Sequence, residues 1–113
     1  MTPPFQVGAM PEAHAHGLRL VGALDLDGTA QLRAAFAACF AQGCDRVVLD
    51  LRDLFFCDCS GLNALVEAKA TADRIGTELR VEGARAQVAR LFALTGVDEL
   101  FADRVPRIPP RTV

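Results

Sequence analysis

The residues best suited to chemistry fall in one short run, Phe56-Cys57-Asp58-Cys59-Ser60-Gly61-Leu62, where a hydroxyl, two thiols and a carboxylate crowd together. Such a cluster serves nucleophilic catalysis, thiol chemistry or phosphate acceptance. As a hydrolase nucleophile Ser60 requires a positioned base. The two histidines, His14 and His16, sit far upstream in an unpatterned N-terminal segment, and the serine's neighbours do not form G-x-S-x-G. There is also no Gly-rich phosphate loop and no metal-ligand cluster, so the expectation is a binding module without cofactor or metal, not an enzyme.

The thiols are expected to be free and buried or half-buried. Cys57 and Cys59 are separated by one residue and Cys39 and Cys44 by four, and neither pair has the two-residue spacing of structural zinc sites. A helix N-terminus lowers a thiol pKa, which makes Cys57 or Cys59 a candidate redox switch, with Cys59 near such an end, but no resolving cysteine is evident. For the hydroxyl, the plain reading is that Ser60 or Asp58 is a helix N-cap worth about 1 kcal/mol. The same location suits a phosphate, because unpaired N–H groups and the helix dipole favour negative charge there. Gly61 is expected to add access to the hydroxyl.

Positioning that run requires a strand before it and a helix after it, and the chain alternates in that way. Phe5 to Val7 is a candidate first strand and Pro11 to Gly17 a turn or loop; Pro3, Pro4, Pro106, Pro109 and Pro110 mark the ends. Leu18 to Leu24 alternates as a strand ending at Asp25, with Asp27 or Thr29 to cap the next helix. Leu32, Phe36, Cys39 and Phe40 give that helix, from Thr29 to Gln42, its periodicity, and Gly43 caps its end. Val47 to Leu51 reads as a central strand buried on both faces, spanning about residues 46 to 52. Phe55-Phe56-Cys57 are expected to pack in the core, with an apolar surface as the alternative.

Leu62, Leu65, Val66, Lys69, Ala72 and Ile75 mark a second helix stopped by Gly76, and Thr77 to Val81 a strand. Val88, Leu91 and Phe92 mark a third helix ending near Thr95-Gly96, and Val97 to Val105 a final turn, helix or strand. The expected fold is α/β: a small mixed sheet of about four to five strands covered by about three to four helices. Functional loops of such sheets lie at the carboxyl ends of strands, which singles out Asp25 and the Ser60 run.

Composition bounds the partners. The 113 residues suit one domain, and 51% hydrophobic residues supply a core without metal or disulfide. A net charge of -2, with the basic residues spread along the chain, speaks against direct nucleic-acid binding. No apolar run approaches the ~20 residues of a membrane span, and the N-terminus lacks a secretory pattern, so a cytoplasmic location is expected.

The stretch VVLDLRDLFFCDCSGLNAL resembles the signature of the STAS domain, the module of anti-sigma-factor antagonists and sulfate-transporter tails. Asp50, then Asp58, Ser60, Gly61 and Leu62, match its pattern of an apolar strand ending in Asp and, a few residues later, Asp-Ser/Thr-Ser-Gly-Leu. Val21-Gly22-Ala23-Leu24-Asp25 is similar to the family's G-x-L-D, and Leu91 to Val97 resembles its L-x-x-L/T-G-hydrophobic element. The match spans roughly residues 5 to 105. Cys59 departs from the family's Ser or Thr and leaves Ser60 as the motif's one phosphoacceptor.

The resemblance implies an antagonist in transcription regulation that binds an anti-sigma factor with serine kinase activity and is released by phosphorylation on Ser60. Asp25, Asp58, Cys59, Gly61 and Leu62 would contact that partner, the two aspartates shaping an acidic mouth and Gly61 and Leu62 forming the docked surface. The alternative is a STAS scaffold that is never phosphorylated, a subunit of a signalling or lipid-transport assembly.

Overall fold

A computed structural model describes residues 5–12 and 15–101, so His14, residues 102–105 and the terminal prolines lie outside the described residues. The elements are β1 (Gln6–Glu12), β2 (Ala15–Leu24), a 3-10 turn (Leu26–Gly28), α1 (Thr29–Ala41), β3 (Arg46–Cys57), α2 (Cys59–Ile75), β4 (Glu78–Glu82), α3 (Ala86–Thr95) and α4 (Val97–Phe101). The sheet order is β1-β2-β3-β4. β1 runs antiparallel to β2, while β2, β3 and β4 are mutually parallel and joined through α1 and α2. This is the expected mixed α/β sheet with helical cover.

One apolar core binds the helices to the sheet. Leu20, Leu49, Leu51 and Leu79 from the strands are fully buried against Leu32 of α1 and Leu65 of α2. Truncating any of these to Ala costs about 2–5 kcal/mol. In α2 the buried positions Leu62, Leu65, Ala68 and Ala72 recur every three or four residues, and Gly76, at φ 82, turns the chain out of the helix. Lys69 lies on the same buried stripe, its stem in the core and its ammonium donating to Asp73 at 2.9 Å. Ile75, by contrast, is 48% exposed in the last turn, so the apolar periodicity outruns the core.

Several boundaries differ from the sequence reading. β1 extends through Pro11 to Glu12 and β2 begins at Ala15, which turns most of the expected loop into a hairpin. Proline is admissible there because β1 is an edge strand. α1 is entered from Gly28 without a side-chain cap: Asp25 caps the 3-10 turn instead, and the Thr29 hydroxyl donates to the Leu26 carbonyl at 2.9 Å. α4 supplies the final element as a helix.

β3 continues to Cys57, well past the expected end. Its register against β2 shifts twice, between Arg19 and Val21 and between Gly22 and Ala23, and each shift places an extra residue on β3. These bulges break the period of two, so that Leu51, Leu54 and Cys57 are buried at intervals of three. Phe55 and Phe56 are 45% and 44% exposed in consequence, and of the expected core run only Cys57 is buried.

The sheet face away from the helices carries charge. Arg46 bonds Glu78 at 3.0 Å, and Arg80 approaches Glu78 at 3.7 Å. Asp50 is 3% exposed on this face, accepting from the Arg52 amide at 3.0 Å and the Arg52 guanidinium at 3.1 Å, with Arg19 at 3.8 Å. Burial pushes the Asp50 carboxyl up, but the Arg52 hydrogen bonds and the charges of Arg52 and Arg19 outweigh it and hold the group below its usual range. The central strand is therefore buried on both faces as expected, by helices on one side and paired side chains on the other.

Candidate functional site

The ends of two adjacent parallel strands build the site. Leu24 and Cys57 are register partners, so the next residues along each strand, Asp25 and Asp58, come side by side at the carboxyl edge of the sheet. The Asp58 amide donates to the Leu24 carbonyl at 3.2 Å and ties the two exits together. Each aspartate then starts a turn. The Asp25 carboxylate accepts from the Asp27 amide at 3.1 Å, and the Asp58 carboxylate accepts from the Gly61 amide at 3.0 Å. Asp58 is thus the N-cap of α2, and Ser60 is its second residue.

That assignment separates the two residues offered as caps. Asp58 does the capping, and Ser60 is left half-buried in the first turn with its hydroxyl making no hydrogen bond among the described residues. The first amides of a helix lack intrahelical acceptors. Gly61 is satisfied by Asp58 and Leu62 donates to the Asp58 carbonyl at 2.9 Å, while the Cys59 and Ser60 amides make no hydrogen bond among the described residues. Two free donors and a hydroxyl at the positive end of a 17-residue helix form an anion-tolerant spot bordered by carboxylates.

Gly61 has a different role from the expected one. A Cβ built on it would lie 2.5 Å from Leu24 Cγ and 2.9 Å from the Leu24 carbonyl oxygen, so the glycine lets α2 pack onto the end of β2. Its bare side faces the core and not the hydroxyl. Leu62 is 5% exposed in the same core, so neither Gly61 nor Leu62 forms the docked surface that the sequence suggested. The surface beside Ser60 consists of Asp25, Asp58, exposed Cys59 and the 3-10 turn, where Leu26 is 70% exposed between Asp25 and Asp27.

The thiols diverge. Cys57 is 1% exposed and donates to the Asp58 carbonyl at 3.4 Å. Burial, with electrostatic coupling to neighbouring Asp58 and Cys59 adding to it, pushes its pKa up to about 12, which denies it the thiolate a redox switch needs. Burial also raises Cys39, with Cys44 contributing. Cys59 is exposed, and all four thiols are free. His16 lies at the other end of β2, eight residues from Leu24, or about 26 Å along the strand.

Sequence reasoning missed two residues here. Leu26 left a faint signal, an apolar residue between two aspartates just past a strand. Gln87 left none: its side chain accepts from the Cys57 amide at 3.2 Å and donates to the Cys57 carbonyl at 3.4 Å, across 30 positions of sequence.

Comparison with known proteins supplies a frame for this geometry. A family model described as Mlab, STAS domain, matches residues 9–103. No curated protein matches the sequence. Among solved structures, an anti-sigma factor antagonist from Mycobacterium paratuberculosis is similar at a TM-score of 0.76 and 20% identity, over 88% of this chain and 84% of that one. The anti-sigma factor antagonist SpoIIAA in its unphosphorylated form is similar at 0.72 and 21%, over 90% and 89%. The Bacillus cell fate determinant SpoIIAA in the phosphorylated form is similar at 0.67 and 20%, over 90% and 92%.

Proposed function

The chain belongs to the STAS domain family, and from that premise we propose that it is an anti-sigma-factor antagonist switched by phosphorylation of Ser60. Its partner is an anti-sigma factor with serine kinase activity, met in the cytoplasm, and its own role is binding and not catalysis. The observation that carries the reading is the placement of Ser60: half-exposed, unbonded among the described residues, and in the first turn of a helix whose cap is supplied by a different residue. Since Asp58 already holds the fold, the Ser60 hydroxyl is free for other use.

The switch arises from charge. The partner transfers the terminal phosphoryl group of a nucleoside triphosphate to Ser60 Oγ, the hydroxyl proton leaves to a base on the kinase, and the nucleoside diphosphate departs. About -1.5 to -2 charges are added at neutral pH. The free amides of Cys59 and Ser60 and the helix dipole accommodate that charge, so the domain stays folded. A partner docked over Leu26 and Cys59 instead meets a bulky dianion beside Asp25, Asp27 and Asp58, and lets go. The existence of SpoIIAA structures in both unphosphorylated and phosphorylated forms supports a fold that bears the group.

The test is a paired capture from source-cell lysate with Ser60→Ala and Ser60→Asp proteins as baits. Ser60→Ala retains a kinase-like, nucleotide-binding partner, and Ser60→Asp loses it by at least about tenfold, a cost of ~1.4 kcal/mol. Equal capture of one partner by both baits replaces this reading with a scaffold in which Ser60 is not a switch.

A further inference from the structure

β3 outlasts its neighbour. The β3–β4 ladder ends at Asp50 and Glu82, and residues 51 to 57 have a strand on the β2 side only. On the opposite side the entrance of α3 takes over with side chains. Arg85 Nε donates to the Arg52 carbonyl at 2.7 Å, and the Arg85 guanidinium stacks 4.3 Å above the Phe55 ring. Further along, Gln87 engages both the N–H and the C=O of Cys57. In a strand these two groups of one residue point the same way, so one carboxamide satisfies both, as a neighbouring strand would.

We infer that Gln87 is a positioning residue for Ser60, acting through the Cys57 peptide; the functional half of this inference rests on the phosphoacceptor reading above. Three consecutive tethers lead from the sheet to the serine. Gln87 holds Cys57 from one side, the Leu24 carbonyl holds the Asp58 amide from the other, and the Asp58 carboxylate fixes the Gly61 amide. The second is main chain and the third is local. Among the described residues Gln87 alone reaches the turn from another element by a side chain, and it does so from an exposed position where it contributes nothing to the core. Without it the Cys57 peptide pivots about the Leu24 bond, and the cap and the serine hydroxyl pivot with it.

The experiment compares wild type, Gln87→Ala and Gln87→Met as full chains, the last retaining bulk but neither hydrogen bond. Amide hydrogen exchange by NMR reads each position without any partner. In both variants, which lose both Gln87 hydrogen bonds, protection falls by at least about tenfold at the Cys57 and Gly61 amides and stays unchanged in α1. A fall confined to Cys57 makes Gln87 a plug of the strand edge, and an even fall throughout makes it a general stabiliser; either overturns the inference. With the kinase captured by the Ser60→Ala bait, Gln87→Ala lowers kcat for phosphorylation about tenfold at unchanged KM, because the hydroxyl is misplaced and not unbound. An unchanged kcat overturns the functional half. If wild type takes no phosphate at all, the phosphoacceptor reading fails while the exchange data still decide whether Gln87 holds the turn.

Discussion

The exits of β2 and β3 are built from the same parts and do different work. Each has an aspartate accepting a backbone amide, and each has a buried glycine three residues later, Gly28 in one and Gly61 in the other. At the β2 exit the aspartate caps three residues of 3-10 helix, and α1 then starts with no side-chain cap. At the β3 exit it caps a 17-residue helix directly. The first exit therefore makes an exposed knuckle carrying Leu26, and the second makes an electropositive helix end carrying Ser60. The length of helix beyond the aspartate, and not the aspartate itself, decides how much positive potential gathers at each exit.

The glycines break the pair most strongly. An alanine methyl at Gly61 meets the Leu24 carbonyl at 2.9 Å, a backbone atom that cannot yield without moving β2, whereas one at Gly28 meets the Phe5 ring at 2.8 Å, a side chain able to swing aside. Gly61→Ala is expected to cost about 3 kcal/mol and Gly28→Ala about 1 kcal/mol or less, measured by urea unfolding. Equal costs would show that the two exits are packed alike.

A third aspartate repeats the two-residue reach of Asp25 inside the sheet, where Asp50 accepts from the Arg52 amide. Its folded pKa lies below that of the unfolded chain, so its contribution is complete above about pH 4, the unfolded value, and disappears as the pH falls through the folded one. Asp50→Asn is expected to cost about 1–2 kcal/mol at pH 7 and to flatten the acid limb of the stability curve, a profile that thermal melts between about pH 2 and pH 7 would trace. Parallel acid limbs in wild type and variant would remove Asp50 from that account.

The caps themselves give the smallest effects. Asp58→Ala is expected to lose about 1 kcal/mol, as for other helix N-caps, and Asp25→Ala a few tenths, since a three-residue turn has little helix to lose. Chemical denaturation of the two variants side by side measures the difference directly.

The sequence was most readable where local rules and the tertiary structure agree. The Val47 to Leu51 run, the periodic face of α2 and the stops at Gly43 and Gly76 all appear where the residues place them. The Ser60 segment was readable for the same reason, a strand ending, a capping residue and a helix beginning within a few positions. The second half of β3 was not, because two bulges convert an alternating pattern into one of threes that matches neither strand nor helix. β1 runs past Val7 and through Pro11, a residue that reads as the start of a loop unless its strand lies at an edge, and sequence does not say which strand does. Gln87 was invisible: a glutamine in the first turn of a helix is unexceptional, and its meaning comes only from a strand end 30 residues away.

The overhang of β3 beyond β4 also bears on how this protein behaves in a crowded solution. An open strand edge is a template on which another chain can add and polymerise. Here Arg85 and Gln87 fill hydrogen-bonding positions along that edge at Arg52 and Cys57. The start of α3 thus occupies part of the overhang, leaving the Arg52 carbonyl and both Cys57 backbone groups already engaged where an incoming strand would need them.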